Sequence, residues 1–229
     1  MPGLTDRAAG GALAPEGLAA EAQRNWEASI LGQVDRLREE LRQRDPAAAA
    51  RAVAGTLHDR GLVLSYWGRD VDITWPYLDV RWLDSRTPCT PFDTAMLLYH
   101  LQASDGTPPA GTWVSYRELP GGAFYHQAFT GYTGRRLASA FGQSPEMFDR
   151  AARACAGEVV TGLAPAAWKF LPFERIPLGA CLWPGDDELP AQASILFDAC
   201  AGFHLPTDGL ALLGSGLTGR LLRAAREAT

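Results

Sequence analysis

The feature that most constrains this fold is a change of period along the chain: helical stripes lie towards its two ends and alternating, strand-like runs lie between them. From Asn25, residues Trp26, Ile30, Val34, Leu37 and Leu41 recur at helical spacing, with Glu27, Asp35, Arg38, Glu39 and Arg42 off that stripe. This predicts an amphipathic helix to about Gln43. Asp45-Pro46 supplies a cap followed by proline at the first helical position, so Ala47 to Arg60 reads as a second helix closed by Gly61. Leu62, Leu64 and Tyr66 then lead across Trp67-Gly68-Arg69 to Val71, Ile73 and Trp75, which alternate with Asp70, Asp72 and Thr74. That is a hairpin pattern, and Leu78 to Trp82 extends the same sheet.

Thr90-Pro91-Phe92-Asp93 forms a capping box with proline in the first turn, opening a helix in which Phe92, Ala95, Met96 and Tyr99 share a face. His100 lies at the edge of that face and reads as a packed, hydrogen-bonded histidine. Arg135 to Phe141 and Pro145 to Ala156 read as short helices. Strand-like runs follow at Ala167 to Leu171, Leu178 to Trp183 and Ala193 to Phe197, and Leu210 to Arg223 closes as a helix. Strands in sequence between terminal helices, without repeated βαβ units, predict an α+β fold: a single domain with a mainly antiparallel sheet flanked by helices. Residues 1–20 are rich in Ala, Gly and Pro without a usable period and read as a disordered tail, which leaves 21–229 as the domain.

Of 229 residues, 47% are hydrophobic, ample for a core, and the net charge of −5 with Lys169 as the one lysine gives no basic face for nucleic acid. The N-terminal residues hold no continuous apolar stretch of a leader, and no run reaches membrane-span length, so a cytoplasmic protein without membrane contact is expected. Cys89, Cys155, Cys181 and Cys200 lack zinc-like spacing and read as reduced, mostly buried thiols, with no metal site.

Function concentrates in Gly111 to Tyr125, where aromatics, an Arg-Glu pair and a Gly-Gly hinge share fifteen positions. Trp113, Tyr116, Arg117, Gly121, Gly122 and Tyr125, edged by Asp198, suit the wall of a ligand pocket, because aromatic rings give rigid contact area and glycine lets backbone approach a ligand. The plainer alternative is a Pro-Gly-Gly turn with its aromatics in the core. Arg117 fits either a carboxylate or phosphate ligand or a surface ion pair of little consequence, and in a strand it points away from Glu118. His126, beside the hinge, and Glu118 are the acid-base candidates; His126 would need Ser115 or a cysteine in reach to make a nucleophile.

Asp186, Asp187 and Glu188, with Asp198 and Asp208, offer oxygen ligands for a cation or simply a solvated turn. Gly214-Ser215-Gly216-Leu217-Thr218-Gly219 spells a dinucleotide fingerprint, but it stands ten residues from the end of the sequence without the required βαβ context. No nucleophile elbow, Walker loop or H-E-x-x-H occurs.

Three blocks carry a resemblance: Leu97 to Leu101, Trp113 to Gly122, and Ile195 to Asp198 with His204-Leu205-Pro206. In this order they resemble a prokaryotic family of uncharacterised proteins, domain of unknown function 3786, over about Asp45 to Leu222. The resemblance implies where a shared site lies and no particular reaction. Some members carry an added cysteine-rich iron-sulfur segment, which implies redox or corrinoid metabolism for part of the family. This chain lacks such a run, so a redox role would require a partner protein. The reading is therefore a small-molecule or cofactor-binding accessory domain, its cofactor unnamed, with an enzyme or a structural subunit as alternatives.

Overall fold

The computed structural model describes residue 28 and residues 31–227, so the expected tail, Trp26 and Ile30 lie outside the described residues. Within it, α1 spans Val34–Arg42 and α2 spans Pro46–Ala52. A four-stranded meander follows: β1 (Thr56–His58), β2 (Gly61–Tyr66), β3 (Arg69–Thr74) and β4 (Val80–Trp82), in the order β1-β2-β3-β4. Helix α3 (Pro91–Ala103) leads to β5 (Trp113–Ser115), a 3-10 turn (Tyr116–Glu118), and helices α4 (Gly122–Tyr132), α5 (Gly134–Phe141) and α6 (Pro145–Ala154). A five-stranded sheet is completed by β6 (Glu158–Val159), β7 (Ala166–Phe173), β8 (Ile176–Trp183) and β9 (Gln192–Asp198), in the order β5-β9-β8-β7-β6. Helix α7 (Thr207–Glu227) ends the described chain.

The architecture is a single α+β domain whose strand pairings are all antiparallel, but it holds two sheets where the periodicity suggested one. The two meet where the Trp67 N–H donates to the Pro172 carbonyl at 3.0 Å and the Tyr66 ring packs 5.0 Å from Phe173.

Local chemistry explains the helix starts. The Asp45 carboxylate accepts from the Ala47 and Ala48 N–H groups, and Thr90 Oγ1 accepts from Asp93 N–H while donating to its carboxylate at 2.8 Å. The helix expected over Ala47 to Arg60 is corrected: it stops at Ala52 because Ala54 adopts φ 58° and the Gly55 N–H closes back on the Ala50 carbonyl at 2.8 Å. That left-handed exit is a helix stop, and it releases Thr56–His58 to pair with β2, Leu57 opposite Leu62. The expected helix over Asn25 to Gln43 is regular only from Val34, after a turn at Gly32 and Gln33.

The core runs between the five-stranded sheet and helices α4 to α7. In α7, Leu210, Leu213, Leu217 and Leu221 are buried at helical spacing. The dinucleotide-like motif lies inside this helix, so its backbone N–H groups serve the helix and not a phosphate. Gly214 is there for packing, since a Cβ would stand 2.8 Å from the Phe129 ring. His100 is fully buried, stacked 4.0 Å from Phe173. Its Nδ1–H donates to the His204 carbonyl at 3.2 Å, and burial pushes its pKa down to about 3, which keeps the ring neutral.

Candidate functional site

Residues 111–125 do not form one loop. Asp198, 2% exposed at the end of β9, accepts from Ala110 N–H at 2.8 Å, Gly111 N–H at 2.7 Å and Cys200 N–H at 2.9 Å, lashing the incoming chain to the sheet edge. Burial acts to raise its pKa, but these N–H donors outweigh it and hold the carboxylate below its ordinary value. β5 then pairs with β9, Trp113 opposite Asp198, and the half-buried indole lies over Gly179, where a Cβ would stand 3.3 Å from the ring.

The next three residues form the 3-10 turn because Glu118 reaches back: its Oε2 accepts from both the N–H and the hydroxyl of Ser115, at 2.7 Å each. Those bonds lower the Glu118 pKa, the opposite of what a general acid requires. In this turn Arg117 and Glu118 are both exposed, so the strand-like division onto opposite faces does not hold.

Tyr116 turns inward. Its ring stacks 4.2 Å from Phe129, its hydroxyl donates to the Thr207 carbonyl at 3.3 Å, and burial raises its pKa. Helix α4 opens through Gly121, at φ 74°, and Gly122, where a Cβ would stand 1.9 Å from the Tyr116 carbonyl oxygen. The glycine pair therefore lets helix pack on turn.

The first turn of α4 carries Phe124, 90% exposed, and Tyr125, 52% exposed. Phe203, 55% exposed, follows Gly202, whose Cβ position lies 3.7 Å from the Pro120 ring. Arg117 has no carboxylate partner among the described residues.

His126 Nδ1 is buried without a hydrogen-bond partner and lines a crevice with Ser115, Thr130 and Ser194. That crevice holds about 20 Å³, room for a single water. Ser115, the nucleophile considered for His126, gives its hydroxyl hydrogen to Glu118. Of the expected pocket residues, the structure joins Trp113 to Asp198 and Tyr116 to Gly122, leaves Arg117, Gly121 and Tyr125 on the surface, and encloses no ligand-sized volume between Ser115, Tyr116 and His126.

The other candidates resolve locally. Asp186 accepts from the Glu188 and Leu189 N–H groups and so closes its own turn. Among the described residues no group of three or more His, Cys, Asp or Glu side chains is placed to hold a metal ion. Cys89, Cys181 and Cys200 are buried thiols and Cys155 is half-buried, with burial pushing Cys181 up to about 11 and Cys200 up to about 12. No helix among the described residues is long and apolar enough to cross a membrane.

A charged concavity not anticipated from the sequence lies on the first sheet. The outer face of the meander holds a cleft of about 550 Å³ lined by His58, Arg60, Asp72 and Arg86. Its sequence signal is the polar half of the β3 alternation, which marks the face that stays in water; which side chains converge there depends on turns that the alternation does not describe.

No curated protein and no solved structure matches the chain. The model of one family matches residues 45–220, which is most of the chain, and the protein belongs to that family, the domain of unknown function DUF3786.

Proposed function

We propose that the protein is an accessory binding subunit that docks a partner protein through the aromatic face at the start of α4. The observation that carries this reading is Phe124, a phenylalanine left 90% exposed on an ordered helical turn whose backbone is pinned by Gly122 against Tyr116. Large aromatics held rigidly in solvent are the residues from which interface cores are made, because they bury much area with little loss of side-chain freedom. Tyr125 is exposed next to Phe124 on the same helical turn, and Arg117, exposed on the 3-10 turn that packs against α4, is a cation of the type that pairs across an interface rim. The partner that fits is a protein with an apolar groove bordered by carboxylates.

The small-molecule reading of the same segment has less support. Pockets for organic ligands occupy roughly 300–1,000 Å³, whereas the crevice beside His126 holds about 20 Å³. The unpartnered Nδ1 of His126 favours catalysis, but a space for one water leaves a substrate no place beside it.

The test is a photo-crosslinking residue in place of Phe124 in the full chain, in cells of its own host, with the same residue at Val159 as a control on the other exposed edge. One discrete cross-linked protein at position 124, absent at 159 and lost on Arg117→Glu, is the expected outcome. Equal backgrounds at both positions, or a cross-link only to a second copy of this chain, would overturn the reading.

A further inference from the structure

We propose that the cleft on the outer face of the β1–β4 sheet is a binding site for a small organic anion, a carboxylate or a phosphate monoester. This site is separate from the aromatic face and does not depend on the docking reading. It begins with Asp72, whose side chain is 15% exposed and which organises two cationic or proton-carrying neighbours. His58 Nε2 lies 2.9 Å from Asp72 Oδ1, and Arg86 Nη1 lies 3.6 Å from Oδ2. The Arg60 N–H donates to His58 Nδ1 at 3.3 Å, so the neutral ring keeps its proton on Nε2 and donates it to Asp72. The imidazole is thereby fixed at the mouth of the cleft.

The charge balance is what favours an anion. Among the described residues Asp72 is the one acid lining the cleft, against two guanidinium groups, in a chain whose net charge is −5. A cationic concavity on an acidic protein concentrates anions where the rest of the surface repels them. Arg60 has no carboxylate partner among the described residues, and Arg86 holds Asp72 at a distance longer than a tight bidentate pair. Both forks remain able to turn to a ligand. A further donor is Thr74: its Oγ1 accepts from the Asp79 N–H at 3.1 Å, which leaves its hydroxyl hydrogen for a ligand oxygen. Val63 and Leu83 provide apolar wall for the carbon part of the ligand, and a volume of about 550 Å³ lies within the range of small-molecule sites.

The experiment is a two-dimensional amide NMR titration of the full chain with inorganic phosphate and, separately, with succinate, at ionic strength held constant with sodium chloride. Saturable shifts centred on His58, Arg60, Asp72, Thr74 and Arg86 with one probe are expected, and the probe that saturates identifies phosphate or carboxylate as the recognised group. Arg60→Gln and Arg86→Gln, both at exposed positions, are each expected to weaken that binding by about tenfold, the loss of one charge-assisted contact. Arg136→Gln, at an exposed position outside the cleft, should leave it unchanged. Shifts that never saturate with either probe, that spread over all exposed arginines, or that persist in both cleft variants would overturn the proposal.

Discussion

The outer face of the first sheet and the aromatic segment before α4 are both exposed, and they are built in opposite ways. The sheet face is concave and charged, with His58, Arg60, Asp72 and Arg86 converging on about 550 Å³. The aromatic segment is tightly seated beneath and apolar on top, with about 20 Å³ left under it. Concavity follows from backbone: a twisted meander with one face in water leaves space between its strands and the turns that fold over them. A helix start pressed on a 3-10 turn leaves none, and its exposed rings can meet only another surface. The first arrangement suits a small charged ligand, the second a protein.

The most severe test of that contrast is Gly122→Ala. If close backbone contact makes the aromatic face, a methyl placed 1.9 Å from the Tyr116 carbonyl oxygen should destabilise the fold by about 3 kcal/mol in chemical denaturation, at the upper end for overpacking. A change under about 1 kcal/mol would mean that the helix start is loosely held.

Asp198→Ala comes next, because it removes one carboxylate that accepts from three N–H groups. A loss of about 2–3 kcal/mol is expected. The folded pKa lies below the ordinary value of 3.8, so this stabilisation is present above that value and is lost as pH falls through the folded one. Asp198→Asn should therefore flatten the acid limb of the stability profile, and an unchanged limb would assign acid unfolding to other carboxylates.

Smaller again is Asp72→Asn on the other face. Its pair with His58 is part-exposed, 37% and 15% for the two side chains, so about 0.5–1 kcal/mol is expected. A larger loss would make the cleft a structural brace, like Asp198, and erase the contrast. The smallest effect belongs to Phe124→Ser, with thermal stability unchanged within about 0.5 kcal/mol while partner cross-linking disappears. A marked loss of stability would place that ring in the fold and not in an interface.

The elements legible in the sequence were those with a local chemical start. Thr90-Pro91 and Asp45-Pro46 cap their helices as their side chains predict, and the hairpin turns at Trp67 and Gly68. The end of α2 was not legible, because a left-handed alanine at position 54 has no signature of its own. Nor was α4: Gly121-Gly122 is a turn signal, and only the contact with Tyr116 shows that here it opens a helix. At the aromatic face, sequence named the residues without their roles, since burial separates Tyr116 from Phe124 and period does not. At the cleft, the alternation of β3 marked Asp72 as outward, while Arg60 and Arg86 arrive from turns after β1 and β4 and are visible only once the strands are aligned.

The pairing of β5 with β9 has a consequence for how the protein is made. Trp113–Ser115 forms its strand only against residues made much later in the sequence, Leu196 to Asp198, and Asp198 must be present before Ala110 and Gly111 are held. At about 5–20 residues per second, a ribosome needs roughly 4–15 s to pass from Ser115 to Gln192. During that interval the early meander can close on itself, whereas the segment from Trp113 to Phe124 waits unpaired with its aromatics in water. The exposed rings of Phe124 and Tyr125 thus belong to a stretch that stays open to a chaperone until β9 has been made.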